Sequence, residues 1–348
     1  MRGAFRPHGH DAAEAVDSAL TASREGMTAL VISLAGLALT AAVQLAVVLA
    51  SGSIALLSDT IHNFADALTA LPLGLAFWLG RRAANDRYTY GYGRSEDLAG
   101  VFIVATIAAS SGLAAWEAVS RLVHPHHVHR VGWVIAAGVI GFAGNELVAV
   151  YRIRVGRRIG SAALEADGLH ARTDGLTSLA VVIGAIGVAV GWQVADPVAG
   201  LAITLANLAV LRDAAGSIYR RLMDAVDPAL VIRARQILAA IPGIDEVESV
   251  RIRWVGHELR VEAEVVSDGT LSLVRSHGIA EEARHRLLHE LPRLTAATIH
   301  TSPGGPDGQD HHAGAAHHFP ATAGGDQRPK ARETGASMAA AKRKAPEA

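Results

Sequence analysis

The chain has 348 residues, of which 50% are hydrophobic and only 19% are charged, and its formal net charge is −1. It contains no cysteine, which excludes thiolate metal ligands, disulfide bonds and cysteine redox chemistry. The overall net charge is uninformative, and we expect no nucleic-acid partner.

Long uncharged runs predict membrane-spanning helices from the N-terminal part of the chain onward. Residues 26–58 contain no charged side chain. At about 1.5 Å per residue, that run is longer than one crossing of a hydrocarbon core about 30 Å thick. With the later uncharged runs it predicts six crossings, at about 27–49, 54–80, 97–122, 131–153, 162–191 and 196–212. The alternative, a soluble protein with a large buried core, would need helices this long and this uncharged throughout.

Arginines are concentrated in two of the connections between these spans. The turns after spans one and five carry almost no positive charge. The arginines lie between spans two and three and between spans four and five, at Arg81, Arg82, Arg87, Arg94, Arg152, Arg154, Arg157 and Arg158. Because basic connections stay in the cytoplasm, we expect a multi-pass protein of the cell (inner or plasma) membrane with both termini cytoplasmic.

Two of the predicted spans carry the same polar pattern, Asp-x-x-His-x-x-x-Asp-x-Leu-Thr-x-Leu. The first copy places His62 and Asp66 in the second span, and the other places His170 and Asp174 in the fifth. Residues four apart lie on one face of a helix, so each copy aims an imidazole and a carboxylate at one point. Spans two and five run in opposite directions, which indicates an inverted repeat of three plus three helices.

The four side chains of His62, Asp66, His170 and Asp174 predict one metal site. Two nitrogens and two oxygens match the ligand number and type of a tetrahedral Zn²⁺ site. An aspartate at the centre of a spanning helix costs roughly 2.5–3.5 kcal/mol on an insertion scale, so a bound cation is the expected partner. The alternative is two intramembrane His–Asp pairs that only hold helices together.

Other polar residues inside the spans are candidates for accessory roles. Asp59 and Asp167, which begin the two copies, are candidate proton relays or access gates, and Glu146 is a candidate accessory group in the fourth span. Alternatively, Asp59 stabilises a helix N-terminus and Glu146 lies in a water-filled vestibule. Arg172, between the ligands of the second copy, is expected to extend toward a polar surface or crevice.

After residue 212 the sequence becomes mixed and predicts a second domain. Its pattern gives helix, strand, strand, helix and strand at 229–241, 246–254, 258–266, 271–291 and 295–300. This order is typical of a small ferredoxin-like α+β domain, which we expect in the cytoplasm. The predicted organisation is a flexible N-terminus at 1–24, a transmembrane domain at 25–213, the cytoplasmic domain at 214–303 and a disordered histidine-containing tail at 304–348.

Four histidine and acidic residues of the second domain are candidate ligands of a regulatory metal. They are Glu248, His257, His277 and His300. The alternative is that these are isolated, solvated side chains.

Four motifs, in this order, resemble the cation diffusion facilitator family of zinc and other divalent metal transporters. They are SGSIALLSDTIHNFAD at 51–66, RYTYGYGRSE at 87–96, ADGLHARTD at 166–174 and ADPVAG at 195–200, and the resemblance covers nearly all of 25–303. It implies a six-span α-helical membrane protein with a C-terminal ferredoxin-like domain, a homodimer, and export of a divalent metal against proton entry. It also implies that His62, Asp66, His170 and Asp174 form the transport site.

The same resemblance bears on residues outside that site. Arg94 and Asp224 match a charge pair that joins the membrane and cytoplasmic parts at the dimer interface of family members. Tyr88 and Tyr92 stand where some members have two histidines, so a second membrane-proximal site is not expected.

In the cytoplasmic domain His277 and His300 match family ligands. Glu248 stands where a histidine is often found and Ser302 where an acidic ligand is often found, which weakens the case for a binuclear regulatory site.

The sequence therefore predicts a proton-coupled exporter of divalent metal and not an enzyme. Zn²⁺ is the first candidate as transported substrate, followed by Co²⁺, Fe²⁺, Mn²⁺ and Cd²⁺, and no cofactor is expected. Protonation of the histidine ligands competes with metal binding, which couples the two ions at one site. The alternatives are an intramembrane metal-dependent enzyme, which usually shows HExxH or similar strings, and a membrane-anchored metal sensor.

Overall fold

A computed structural model of the chain describes residues 11–51, 70–123, 131–192 and 194–304. Within these residues, six helices precede the second domain: α1 (Asp11–Ser51), α2 (Ala70–Gly80), α3 (Arg94–Val123), α4 (Val131–Ile159), α5 (Ala162–Ala189) and α6 (Ala195–Leu222). The remaining elements are α7 (Pro228–Ala239), β1 (Glu246–Val255), β2 (Glu258–Asp268), α8 (Leu273–Glu290) and β3 (Leu294–Gly304).

Five of these helices are long and apolar enough to cross a membrane. The qualifying segments lie in α1, α3, α4, α5 and α6 and are Leu20–Val47, Arg94–Ser120, Val131–Ile159, Ala162–Ala189 and Ala195–Leu222. They confirm five of the six predicted spans. The short apolar helix α2 covers the end of the predicted second span, and the rest of that span lies outside the described residues.

Helix α5 is the centre of the described bundle, where it packs against α3, α4 and α6. Its approach to α4 depends on two glycines. A Cβ atom at Gly168 would lie 2.8 Å from Ile153 Cγ1 and 2.9 Å from the Ile153 amide nitrogen, and one at Gly156 would lie 2.8 Å from the Glu165 amide nitrogen. Small residues allow helix backbones to approach this closely, so α4 and α5 form a tight antiparallel pair.

The main apolar core cluster of the described bundle includes residues from all six helices. Its largest enclosed side chains come from α2, α3 and α5 and are Leu73, Phe77, Ile103, Ile107 and Leu164, each no more than 1% exposed. Many apolar side chains on the outer faces of the long helices are exposed instead, as expected for surfaces that contact lipid.

The second domain has the predicted order α-β-β-α-β, and its three strands form one sheet in the order β1-β2-β3. Helix α8 buries Ile279, Ala283 and Leu287, which recur every four residues and form one apolar face. Strands β1 and β2 are joined by a tight turn in which Gly256 has a φ of 62°, a conformation that glycine adopts without strain.

The chain divides into two compact units. The helical unit contains Met1–Leu230, Ile252–Val261 and Leu291–Ala296, and the other contains Val231–Arg251, Glu262–Glu290 and the residues from Ala297 onward. The turn between β1 and β2 therefore belongs to the helical unit. Helix α1 begins at Asp11 and α6 continues to Leu222, so the predicted limits at 24 and 213 fall inside helices, and the predicted tail lies outside the described residues.

Candidate metal site

Helix α5 presents the second predicted ligand pair. His170 and Asp174 are one turn apart, 2% and 8% exposed, and His170 Nδ1 lies 3.7 Å from Asp174 Oδ1. Two ligands at about 2.0–2.1 Å from one tetrahedral ion are about 3.3 Å apart, so the observed spacing is close to that of two atoms sharing a metal. The pair is therefore pre-arranged to supply one nitrogen and one oxygen.

The start of α5 fixes where this pair lies. Ser161 caps the helix, and its Oγ accepts a hydrogen bond of 3.1 Å from the Leu164 amide. Near the pair, the Thr173 hydroxyl donates to the His170 carbonyl oxygen at 2.7 Å and the Thr177 hydroxyl donates to the Thr173 carbonyl oxygen at 3.0 Å. These hydroxyls bond to their own helix, so they do not compete for the pair.

Two buried amides lie beside α5. A Cβ atom at Gly175 would lie 3.3 Å from Asn145 Cβ on α4, and Asn145 is 4% exposed. On α6, Asn207 is 2% exposed, and its Nδ2 donates to Thr177 Oγ1 at 3.5 Å. Sequence reasoning missed Asn207, although an amide in a long uncharged run was a usable signal.

The other half of the predicted site belongs to the first copy of the polar pattern. His62, Asp66 and Asp59 lie outside the described residues. Within the described parts of the chain, no group of three or more His, Asp or Glu side chains is arranged to hold a metal. The four-ligand site thus remains a prediction, of which the described residues contain one pair.

Asp167 lies at the contact of α4 and α5 and is paired with an arginine. Arg152 Nη1 is 2.9 Å from Asp167 Oδ2, and the side chains are 2% and 0% exposed. The arginine compensates a carboxylate that would otherwise be buried without a counter-ion. The role of Asp167 as a proton relay or access gate stays a prediction.

Glu146 also has an arginine partner, which is Arg172. Arg172 Nη2 donates to Oε1 at 2.7 Å and Arg172 Nε to Oε2 at 3.1 Å, so the pair is bidentate. The side chains are 34% and 33% exposed. Arg172 therefore binds across to α4, and the accessory role of Glu146 stays a prediction.

The candidate ligands in the second domain differ in their exposure to solvent. Glu248, His277 and His300 are exposed, and among described residues they do not form a three-ligand cluster. His257 is buried instead, with Nδ1 2.9 Å from Glu96 Oε2 on α3 and its ring beside Phe77. Sequence reasoning did not anticipate this pair.

The predicted Arg94–Asp224 pair is present within the chain. Arg94 Nη2 donates to Asp224 Oδ1 at 2.7 Å, with the side chains 40% and 44% exposed. Asp224 follows the end of α6, and its backbone has a left-handed conformation with a φ of 55°. An exposed pair of this kind contributes about 0–1 kcal/mol, and its role at a dimer interface stays a prediction.

Comparison with known proteins places these features in a family context. Residues 30–223 match the family described as "Cation efflux transmembrane domain", and residues 226–304 match "Cation efflux protein, cytoplasmic domain". A "probable cation efflux system protein" of Mycobacterium tuberculosis is 58% identical over 299 residues, which are 86% of this chain and 90% of that protein.

Two less similar relatives carry other names. "Magnetosome protein MamB" of Paramagnetospirillum magneticum is 25% identical over 256 residues, covering 73% of this chain and 86% of that protein. "Metal tolerance protein 2" of rice is 24% identical over 277 residues, covering 72% of this chain and 71% of that protein.

Proposed function

Since the chain belongs to the cation efflux family and is a multi-pass membrane transporter of divalent metal cations, we propose that it exports Zn²⁺ from the cytoplasm in exchange for protons. The observation that carries this proposal is the buried His170–Asp174 pair, one turn apart on a helix that can span the membrane. Family members are transporters, so the enzyme alternative is excluded.

We propose that His62 and Asp66 complete the site from the second span. They repeat the spacing of His170 and Asp174, and the four side chains together supply two nitrogens and two oxygens. A set of this kind, without thiolate, suits Zn²⁺. Co²⁺, Fe²⁺, Mn²⁺ and Cd²⁺ are weaker candidates, because carboxylate-rich or thiolate-rich sites suit some of them better.

Proton coupling follows from the same ligands. Imidazole must be neutral to bind metal, and its pKa in water is about 6.5, so protons and metal compete for His62 and His170 in the physiological range. Proton entry then favours metal release on the outer side. No separate proton pathway is needed, although Asp59, Asp167 and Glu146 remain candidates for accessory transfer.

The proposed transporter is a homodimer with both termini in the cytoplasm. The match to the cytoplasmic domain family supports the position of the second domain, and the arginines between spans support the orientation. In this arrangement Arg94 and Asp224 would stabilise the base of the membrane domain near the dimer interface.

The test is flux in liposomes containing the purified protein, with Zn²⁺, Cd²⁺ and Mn²⁺ supplied with and without a pH gradient. We expect Zn²⁺ to move fastest and the proton gradient to accelerate it. Asp66→Ala and Asp174→Ala should abolish flux, whereas Asp213→Ala, at an exposed carboxylate of α6, should not.

Three outcomes would contradict parts of the proposal. Zn²⁺ flux retained in either site variant would refute the ligand assignment. Flux that ignores the pH gradient would indicate a uniporter or channel. A wild-type protein that binds Zn²⁺ without moving it would refute Zn²⁺ as the transported cation.

A further inference from the structure

A cavity of about 290 Å³ lies where α4 ends, α5 begins and α6 ends. Four arginines line it, Arg157, Arg220, Arg221 and Arg293, and the only acidic residue in its lining is Glu165. All lining residues belong to the helical unit. Four cations facing one carboxylate make this cavity strongly positive, and neither metal site nor proton coupling accounts for it.

Arg221 is the most enclosed of the four, at 8% exposed. Its Nη2 donates to the carbonyl oxygen of Gly160, and its guanidinium lies 4.1 Å from the centre of the Trp254 ring. Among the described residues, Nη1 is buried and has no hydrogen-bond acceptor. A charged donor left without an acceptor in a buried position is costly, so an external acceptor would stabilise this arrangement.

Acidic groups elsewhere do not replace that acceptor. Glu96 and Asp97 interact electrostatically with Arg221, but neither of them lines the cavity. Glu165 does line it, and its Oε1 is held by Arg157 Nε at 2.9 Å. Positive charge therefore remains in excess of negative charge among the residues that line the cavity.

The turn between α4 and α5 is built around the arginines. Arg293 Nη2 donates to the carbonyl oxygens of Arg157 and Arg158 at 2.9 and 2.8 Å. A Cβ atom at Gly160 would lie 3.0 Å from Arg293 Cδ, which is a tight contact, and Gly160 has a φ of 79°, a backbone conformation that favours glycine. Hydrogen bonds to backbone carbonyl oxygens of this turn therefore hold the guanidinium groups of Arg293 and Arg221 in place.

The first turn of α5 adds to the positive potential. This helix starts at Ala162, after the cap at Ser161, and both residues line the cavity. The unpaired amide groups and the dipole at a helix N-terminus favour a bound anion. Here they act together with the arginines and with the buried donor of Arg221.

We propose that this cavity binds the phosphate group of an anionic ligand. Guanidinium groups recognise phosphate through paired, charge-assisted hydrogen bonds, and four of them line this one cavity. The volume accommodates a phosphate with an attached glycerol unit. The cavity lies at the end of three membrane spans, where the headgroup of an anionic phospholipid and a soluble phosphate ester present the same chemistry.

The test is calorimetric titration of the full-length protein in a neutral detergent with three probes. They are dihexanoyl phosphatidylglycerol below its micellar concentration, zwitterionic dihexanoyl phosphatidylcholine, and glycerol 3-phosphate. Saturable binding of phosphatidylglycerol, about tenfold tighter than that of the other two, identifies a lipid headgroup site. If glycerol 3-phosphate binds as tightly as phosphatidylglycerol, the ligand is a soluble phosphate ester, and this result also supports a phosphate site in the cavity.

Three variants separate the cavity from general attraction between charges. Arg220→Gln removes an exposed arginine of the lining and should weaken binding about tenfold, the effect of one charge-assisted hydrogen bond. Glu165→Gln should strengthen binding. Arg154→Gln, an equal loss of charge at an exposed position of α4 outside the lining, should leave it unchanged.

Two results would overturn the proposal: no saturable binding of any probe, or equal weakening by Arg220→Gln and Arg154→Gln. Neither depends on metal transport, so the site stands or falls separately from the proposed function.

Discussion

Two buried histidines of the helical unit differ in how they meet their carboxylates. His257 Nδ1 lies 2.9 Å from Glu96 Oε2, within hydrogen-bond distance, whereas His170 Nδ1 lies 3.7 Å from Asp174 Oδ1. At the first spacing the two side chains form a hydrogen-bonded pair, which connects the turn between β1 and β2 to α3. The second is too long for a hydrogen bond and close to the separation of two ligands on one metal ion. Burial alone therefore does not identify a metal ligand, and the spacing between the two groups is the more informative measure.

The largest effect that this comparison predicts is on transport. His170→Ala removes a nitrogen ligand, so we expect Zn²⁺ flux to fall at least about 100-fold, beyond the range seen for loss of a residue that only supports a ligand. The folded protein should remain, as judged by its elution in size-exclusion chromatography and its thermal unfolding. Flux within tenfold of the wild type would mean that His170 is a structural histidine like His257.

Breaking the buried ion pair of Arg152 and Asp167 should affect the stability of the fold more directly than transport. Arg152→Met leaves Asp167 buried without its counter-ion, and breaking a buried pair in this way costs about 3–5 kcal/mol. The double variant Arg152→Met/Asp167→Leu should recover most of the loss, because neither charge is then buried. Thermal unfolding in detergent measures both.

The same double variant separates the two roles of Asp167. A counter-ion that only fixes α4 to α5 predicts Zn²⁺ flux within about threefold of the wild type, roughly 0.6 kcal/mol at 1.4 kcal/mol per factor of ten. Restored stability with abolished flux would assign the relay role to Asp167.

The smallest effect is expected at His257. His257→Ala leaves Glu96 buried without this partner and should lower the free energy of unfolding by about 1–3 kcal/mol. Flux per folded molecule should stay close to that of the wild type. A loss of Zn²⁺ binding in this variant, with stability unchanged, would reverse the comparison and make His257 a ligand.

Much of the fold could be predicted because its signals are local. Uncharged runs give the spans, a four-residue spacing places His170 and Asp174 on one face, and alternation gives the strands. Arg94 and Asp224 are 130 residues apart and were found only through resemblance to a family.

The remaining pairs depend on tertiary packing that no local pattern encodes. Glu96 and His257 are 161 residues apart. Arg172 was expected to extend toward a polar surface or crevice, and local patterns did not identify Glu146 on α4 as its bidentate partner. Helix periodicity gives the face on which a residue lies and does not give its partner.

The close approach of α4 and α5 at Gly156 and Gly168 has a consequence for the transport cycle. Separating these helices would break their backbone contacts and uncover Arg152 and Asp167, so the two should travel as one rigid body that carries His170 and Asp174 with it. Alternating access must then arise at the boundaries of this hairpin with its neighbours. Because the chain has no cysteine, a single introduced cross-link between α4 and α5 can be tested cleanly, and it should leave turnover unchanged.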